Sequence, residues 1–128
     1  NNIKFFPFQP ASDIYQIFQN SYVLINILND NANFSVPSKV LSYIVAARPM
    51  ILIMPKDNEI SQIVLDNNLG IVLDNSNQDQ LEKNINNMLF DNQLRENFIK
   101  NCKNYSKDNF QSDKKMDEFL SLYNKIKK

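Results

Sequence analysis

Short apolar runs alternate, over the first 75 residues, with segments whose apolar residues recur at helical spacing. Runs of this kind are typical of β-strands, and two of them are almost continuously apolar, as expected for strands buried on both faces of a parallel sheet. The four predicted strands cover residues 3–6, 22–28, 50–54 and 71–73.

Short helices are predicted between these strands, each with a recognisable start. The expected start residues are Ser12 before residues 13–19, Pro37 in the first turn of residues 38–46, and Asp57 before a helix that buries Ile60, Ile63 and Val64. Gly70, the single glycine, follows that third helix, where a left-handed conformation is favourable for glycine.

Beyond residue 76 the pattern changes to three consecutive helical stretches. Their inward-facing sets are Leu81, Ile85, Met88 and Leu89; then Leu94, Phe98 and Cys102; then Met116, Phe119, Leu120 and Tyr123. Asp91 and Ser112 are the expected N-caps of the last two. The whole order predicts one α/β domain over residues 1–128, with a doubly wound, mainly parallel sheet of about four strands and a C-terminal helical tail.

Composition narrows the functional classes. The chain of 128 residues has no histidine, which excludes an imidazole base and the commonest zinc ligand. Fourteen basic residues balance fourteen acidic ones, so no net field favours nucleic acid. Cys102 is the only cysteine and is expected in the core, and no apolar run reaches the length of a bilayer span. These features favour a cytoplasmic protein without a disulfide.

Charge is uneven along the chain. Residues 1–80 carry four basic and seven acidic side chains, whereas residues 100–128 carry eight basic and four acidic. We interpret the basic end mainly as a solvated helix face. The alternative is a tail that docks on another domain or on anionic lipid at the inner face of a membrane.

Pro37, Ser38 and Lys39 form the candidate binding motif. They follow the loop after a buried strand and open a helix, where free backbone N–H groups and the helix dipole favour an anion. The Ser38 hydroxyl and the Lys39 ammonium suit a phosphate or diphosphate. The alternative interpretation is an ordinary helix start with no ligand.

The stretch FSVPSKVLSYIVAARPMI, residues 34–51, resembles the donor-site helix and following strand of family-four (group one) glycosyltransferases with the GT-B fold. Other parts resemble the same family in the same order: residues 5–10 its second strand and base-side loop, Glu59-Ile60 and residues 70–72 the stretch ending in its next strand, residues 91–95 its Asp-Pro-Glu-Leu-Arg helix start, and residues 110–123 its closing helix. The resemblance covers essentially the whole chain.

The resemblance implies the nucleotide-sugar-binding part of a retaining transferase that moves a sugar to a bacterial polysaccharide or lipid-linked acceptor. It implies a Rossmann-like half of a GT-B fold, with the acceptor domain and the first donor strand missing. The chain alone is therefore expected to be inactive, and the closing helix, whose apolar face would reach toward the missing domain, is expected to support a weak homodimer. No cofactor or metal is implied.

The resemblance also assigns individual residues. It implies that Ser38 and Lys39 stabilise the leaving diphosphate, with Lys39 as the catalytic cation. The expected donor contacts are Phe8, Gln9 and Pro10 at the base, and Asn33, Phe34, Ser35 and Val36 beside the sugar. Two glutamates that the broad family carries eight positions apart are replaced by Phe34 and Ser42, and the Ser42 hydroxyl is expected to hydrogen-bond the ribose. Phe8 is equally compatible with a core position.

Two weaker hypotheses remain. The Asp57-Asn58-Glu59 sequence resembles an acidic metal pair, although helix capping explains it more simply. Asp30 after a buried strand, with Lys56 after a later one, resembles a response-regulator receiver, which would make the chain a non-catalytic signalling or binding module. The other acidic and hydroxyl positions of receivers do not appear in the sequence.

Overall fold

The computed structural model describes residues 2–28, 36–73 and 78–111. Within these ranges it contains three strands and five helices. In chain order they are α1 (Ala11–Gln19), β1 (Leu24–Ile27), α2 (Ser38–Val45), β2 (Met50–Ile53), α3 (Glu59–Asp66), β3 (Ile71–Leu73), α4 (Gln78–Phe90) and α5 (Asn92–Asn109).

The described strands form one parallel sheet in the order β1-β2-β3. Leu24 pairs with Met50 at one end of β1, and Ile53 links Ile27 on one side to Leu73 on the other. The central strand β2 has Met50, Ile51 and Leu52 fully buried. The predicted parallel α/β architecture is confirmed, and it is consistent with a Rossmann-like fold.

Helices cover both faces of the sheet because alternate residues of β2 point in opposite directions. Met50 and Leu52 pack in a cluster with residues of α2 and α3, whereas Ile51 packs with Met88 of α4. Of the predicted inward positions, Ile60, Val64, Met88, Phe98 and Cys102 are buried. The prediction for Leu89 is wrong, since that side chain is 43% exposed.

The junction between α4 and α5 is held by Arg95. Its guanidinium donates to the carbonyl oxygens of Met88 at 2.6 Å and Leu89 at 2.8 Å, at the end of α4, and also to Asn92. The same group lies 5.4 Å from the centre of the Tyr22 ring. Arg95 therefore ties α4 and α5 to the residues that precede β1.

The prediction of a strand at residues 3–6 is wrong, so the described sheet has three strands and not about four. Residues 2–10 carry no regular secondary structure, and Phe5 and Phe6 are exposed. An apolar run forms a strand only where a neighbouring strand accepts its backbone hydrogen bonds, and none of the described strands does so here.

Two predicted helix caps are also wrong. The first helix begins at Ala11 after Pro10, and the Ser12 hydroxyl donates instead to Asp13. The third helix is capped by Asn58, whose Oδ1 accepts from the Ile60 N–H at 3.0 Å, and not by Asp57. Pro37 is predicted in the first turn of α2, but it is the N-cap and lies one position before that turn. The predicted cap Asp91 is confirmed, since it accepts from the Leu94 N–H at 2.9 Å.

The expectation for Gly70 is wrong in its reason. Gly70 does not have a positive φ, and the left-handed residue after α3 is Asn68, at φ 50°. The Asn68 N–H donates to Leu65 and the Leu69 N–H to Val64, which is the hydrogen-bond pattern of a Schellman motif. The chain therefore changes direction at Asn68, two residues before Gly70.

Candidate functional site

The first turn of α2 presents Ser38 and Lys39 to solvent. Its N-cap is Pro37, which provides no side-chain hydrogen bond to the first turn. The N–H groups at the start of an α-helix have no partner within the helix, and the dipole adds partial positive charge there. Within the described residues, this turn therefore offers N–H donors, a hydroxyl and an ammonium together.

This turn lies toward the carboxyl ends of the strands. Parallel pairing continues one residue past the strands there, with Leu28 N–H donating to Ile53 and Met54 N–H donating to Leu73. Because β1 and β2 are parallel, the helix that joins them must run back and begin at the carboxyl edge. Ligands of open α/β sheets bind at this edge.

The start of α3, which follows β2 at the same edge, is less open to a ligand than the start of α2. Asn58 is only 2% exposed and its side chain caps the helix. The buried Ser61 hydroxyl donates to the Pro55 carbonyl at 2.8 Å, which fixes the loop before the helix. Of these two helix starts, α2 is therefore the one open to an anion.

Ser42 lies one turn further along α2 and is exposed, but its hydroxyl donates to the Ser38 carbonyl at 3.4 Å. It also lines an open groove of about 330 Å³ between α1 and α2. The other lining residues are Ala11, Ile14, Tyr15, Phe18, Leu41 and Val45. A ribose hydroxyl would thus meet the lone pairs of Ser42 beside a mainly apolar wall. The sequence did not indicate this groove, because α1 and α2 are separated by β1 along the chain.

The predicted base-side residues lie just before α1. Phe8 is 97% exposed, so its alternative as a core residue is wrong. The Gln9 amide donates to the Pro7 carbonyl at 2.9 Å, and Pro10 is the N-cap of α1. Among the described residues, no hydrogen bond or ring contact joins this segment to the first turn of α2.

Val36 is half-exposed immediately before Pro37. The other predicted sugar-side residues, Asn33, Phe34 and Ser35, lie outside the described residues, and so does Asp30 of the receiver hypothesis. Ser112 and the last predicted helix also lie outside them.

The weaker hypotheses gain no support from the described part of the chain. Asp57 and Glu59 are exposed, and the described residues contain no group of three histidine, cysteine or acidic residues placed to hold a metal ion. Among the helices of the described residues, none combines the length and the apolar character that a membrane span requires.

Among the described residues, two titratable groups have shifted pKa values, and both lie in the core. Burial raises the pKa of the Tyr43 hydroxyl, partly offset by a hydrogen bond from Asn26, and that hydroxyl lies 3.5 Å from the Ile25 carbonyl. Cys102 is fully buried, which confirms the predicted core position, and this burial raises the pKa of its thiol to about 12.

Comparison of the chain with protein-family models, with curated proteins and with solved structures found no match. The resemblance to family-four glycosyltransferases therefore stays a prediction from the sequence.

Proposed function

We propose that this chain is the donor-binding part of a retaining glycosyltransferase that uses a nucleoside diphosphate sugar. The acceptor would be a bacterial polysaccharide or a lipid-linked glycan. The proposal combines the ordered resemblance of residues 34–51 and their flanking segments with a parallel α/β sheet of the expected kind.

The observation that carries the proposal is the open first turn of α2. Ser38 and Lys39 are exposed at the carboxyl edge of the sheet, whereas the neighbouring turn at the start of α3 is closed by Asn58. A diphosphate needs several donors and positive charge, and only the first of these two turns supplies both.

In the proposed reaction, the first turn of α2 acts by stabilising negative charge. When the anomeric carbon separates from the donor, negative charge grows on the leaving phosphate oxygen. In the proposed role the amides of Ser38 and Lys39 and the Ser38 hydroxyl donate to that phosphate. The Lys39 ammonium supplies a full positive charge. The reaction requires no general base from these residues.

Turnover requires more than this part. The resemblance covers the donor side, whereas transfer also needs an acceptor held across a closed, water-excluding cleft. We therefore expect the 128 residues to bind nucleoside diphosphate weakly and in a salt-dependent manner, without transferring sugar.

The test is a chemical-shift titration of the isotope-labelled chain with UDP and with GDP. Shifts should concentrate at the amides of Ser38 and Lys39. Lys39→Ala should weaken binding about tenfold or more, as expected for loss of a charge-assisted hydrogen bond. Lys56→Ala is the matched control, because Lys56 is an exposed lysine that follows β2 at the same edge of the sheet but precedes the capped helix α3.

Three outcomes would contradict the proposal. Equal loss of binding in both variants would indicate non-specific attraction, and shifts centred away from the first turn of α2 would indicate a different site. Loss of folding in Lys39→Ala with unchanged binding in the remaining folded protein would make Lys39 a structural residue.

A further inference from the structure

A cavity of about 460 Å³ lies at the edge of the sheet opposite the first turn of α2. It is lined by Tyr15 and Gln19 of α1, by residues 45–48 at the end of α2, and by Ile99 and Lys103 of α5. Because α1 and α2 each end just before a strand begins, this cavity lies at the amino ends of β1 and β2. We call it the amino-edge cavity.

Two basic side chains line the amino-edge cavity, and none of the described residues around it is acidic. Arg48 enters it from the end of α2, and Lys103 enters it from α5. The Nε atom of Arg48 is buried and has no hydrogen-bond partner within the described part of the chain. A buried donor without a partner is costly, and the fork of N–H groups on a guanidinium matches two oxygen atoms of one anion.

The neighbouring helix ends do not neutralise these two cations. The carboxyl ends of α1 and α2 both meet the cavity, and each contributes roughly half a negative charge. Two full positive charges exceed that sum. The amino-edge cavity therefore keeps a positive potential that attracts an anion.

The amino-edge cavity adjoins the open groove between α1 and α2, because Tyr15 and Val45 line both. The groove has a volume of about 330 Å³, and its walls are formed mainly by apolar side chains such as Ile14, Phe18 and Leu41. An apolar groove that ends in a positively charged cavity is complementary to a molecule with an apolar chain and an anionic head.

We propose that the groove and the amino-edge cavity together bind a single-chain amphiphile whose head is a phosphate monoester. The phosphate lies between Arg48 and Lys103, and the alkyl chain lies along α1 and α2. Phosphate suits this pair better than carboxylate does, because its tetrahedral oxygens accept from cations on two different elements and its charge of about −2 matches both. The proposal does not depend on the donor-binding role, since Lys39 lies at the other edge of the sheet.

The experiment is a chemical-shift titration of the isotope-labelled full chain with n-octyl phosphate, at constant ionic strength and below the micellar concentration. We expect a saturable shift of the Arg48 Nε–H signal. Ethyl phosphate should bind about tenfold more weakly or less, because it leaves the apolar groove unfilled. Octanol, which has the chain without the charge, should give no saturable shift of this signal.

Two variants test the head-binding residues. Arg48→Lys keeps the charge but removes the fork of donors, so it should weaken octyl phosphate binding about tenfold or more. Lys103→Gln changes an exposed side chain and should weaken binding about fivefold or more, which keeps the test decisive if Arg48→Lys does not fold. The matched control is Lys100→Gln, at an exposed lysine of α5 that does not line the cavity.

Four results of these titrations would each overturn the proposal. The first is the absence of a saturable shift at Arg48. The second is an equal loss of affinity in Lys103→Gln and Lys100→Gln, which would indicate non-specific attraction. The third is octanoate binding as tightly as octyl phosphate, and the fourth is a set of shifts centred on Ser38 and Lys39.

A further variant tests whether the chain itself fills the amino-edge cavity. Asp113→Asn, Asp117→Asn and Glu118→Gln, made together, remove acidic side chains that follow α5 in the sequence. The affinity for octyl phosphate should stay unchanged. A higher affinity would mean that these acidic side chains compete for Arg48 and Lys103, and the proposed ligand would then be wrong.

Discussion

Gly70 lies against Met50 so closely that a Cβ atom at position 70 would be 2.5 Å from the Met50 Cγ and 2.6 Å from the Met50 carbonyl oxygen. The side chain of Met50 could move, but its carbonyl belongs to the central strand of the sheet and is held by the ladder. Gly70 is therefore required by close packing of the segment entering β3 against β2.

Gly70→Ala should lower the free energy of unfolding by about 1 to 3 kcal/mol, as overpacking of a core does. Urea denaturation followed by circular dichroism measures the change. The double variant Gly70→Ala, Met50→Ala should not restore the lost stability, because it removes the contact with Cγ but leaves the contact with the carbonyl oxygen. A Gly70→Ala variant as stable as the original chain would show that the strands can separate without cost.

Asn68→Gly should stabilise the chain by about 0.5 kcal/mol. Asn68 has a φ of 50° and an exposed side chain, so glycine relieves the left-handed conformation without loss of buried surface. Part of that gain is offset by the greater freedom of glycine in the unfolded state. Its backbone carbonyl still accepts from the Asn101 amide at 2.9 Å. The midpoint of urea denaturation should rise.

The adjacent residue provides the control for this substitution. Asn67 has a φ of −100°, and its amide donates to the Ile63 carbonyl at 2.9 Å. Asn67→Gly should therefore be destabilising. At Ala47, with φ of 52°, glycine would relieve the same conformation but remove a buried methyl group, so the two effects should offset each other. If both asparagine variants lose stability, strain at Asn68 is not significant.

Cys102 should make the chain less stable at high pH. Its buried thiol donates to the Leu69 carbonyl at 3.5 Å, and burial raises its pKa from 9.0 to about 12. The unfolded chain therefore loses this proton first. Stability from this group is complete below about pH 9 and is lost as the pH rises toward 12, at a slope of up to about 1.4 kcal/mol per pH unit.

Cys102→Ala is the appropriate comparison variant. The change in the free energy of unfolding per pH unit, and not its absolute value, reports on the thiol. The variant should lose less stability between pH 9 and 11 than the original chain, and the residual slope should include Tyr43, whose pKa burial also raises. The native thiol should also resist alkylation at pH 8. Equal slopes in the two proteins, or rapid alkylation of the folded chain, would show that the thiol is accessible.

The elements that the sequence predicted well are those with a local cause. Residues 71–73 form a strand as predicted, and Asp91 caps α5, because a short apolar run and a cap each depend on neighbours along the chain. Residues 3–6 had an equally good strand pattern and form none. Strand formation also needs a neighbouring strand that accepts its backbone hydrogen bonds. The pattern of apolar residues within one segment does not show whether such a strand lies beside it.

Interactions between distant residues were not predictable in the same way. Arg95 donates to two carbonyl groups at the end of α4, yet its sequence position indicates only the first turn of α5. At the candidate site, the exposed turn of Ser38 and Lys39 followed from Pro37 and the preceding strand. At the neighbouring turn the sequence favours Asp57 as the cap, whereas the structure has Asn58, because both residue types cap helices and the two are adjacent along the chain.

Helix α5 joins the two halves of the core. Phe98 belongs to the cluster that contains Ile51 and Met88, and Cys102, one turn later, belongs to the cluster that contains Met50 and Leu52. Neither layer of helices can leave the sheet without disturbing this helix. The two clusters are thus energetically coupled, and heat or denaturant should melt them in a single cooperative transition with no intermediate in which one face of the sheet stays packed.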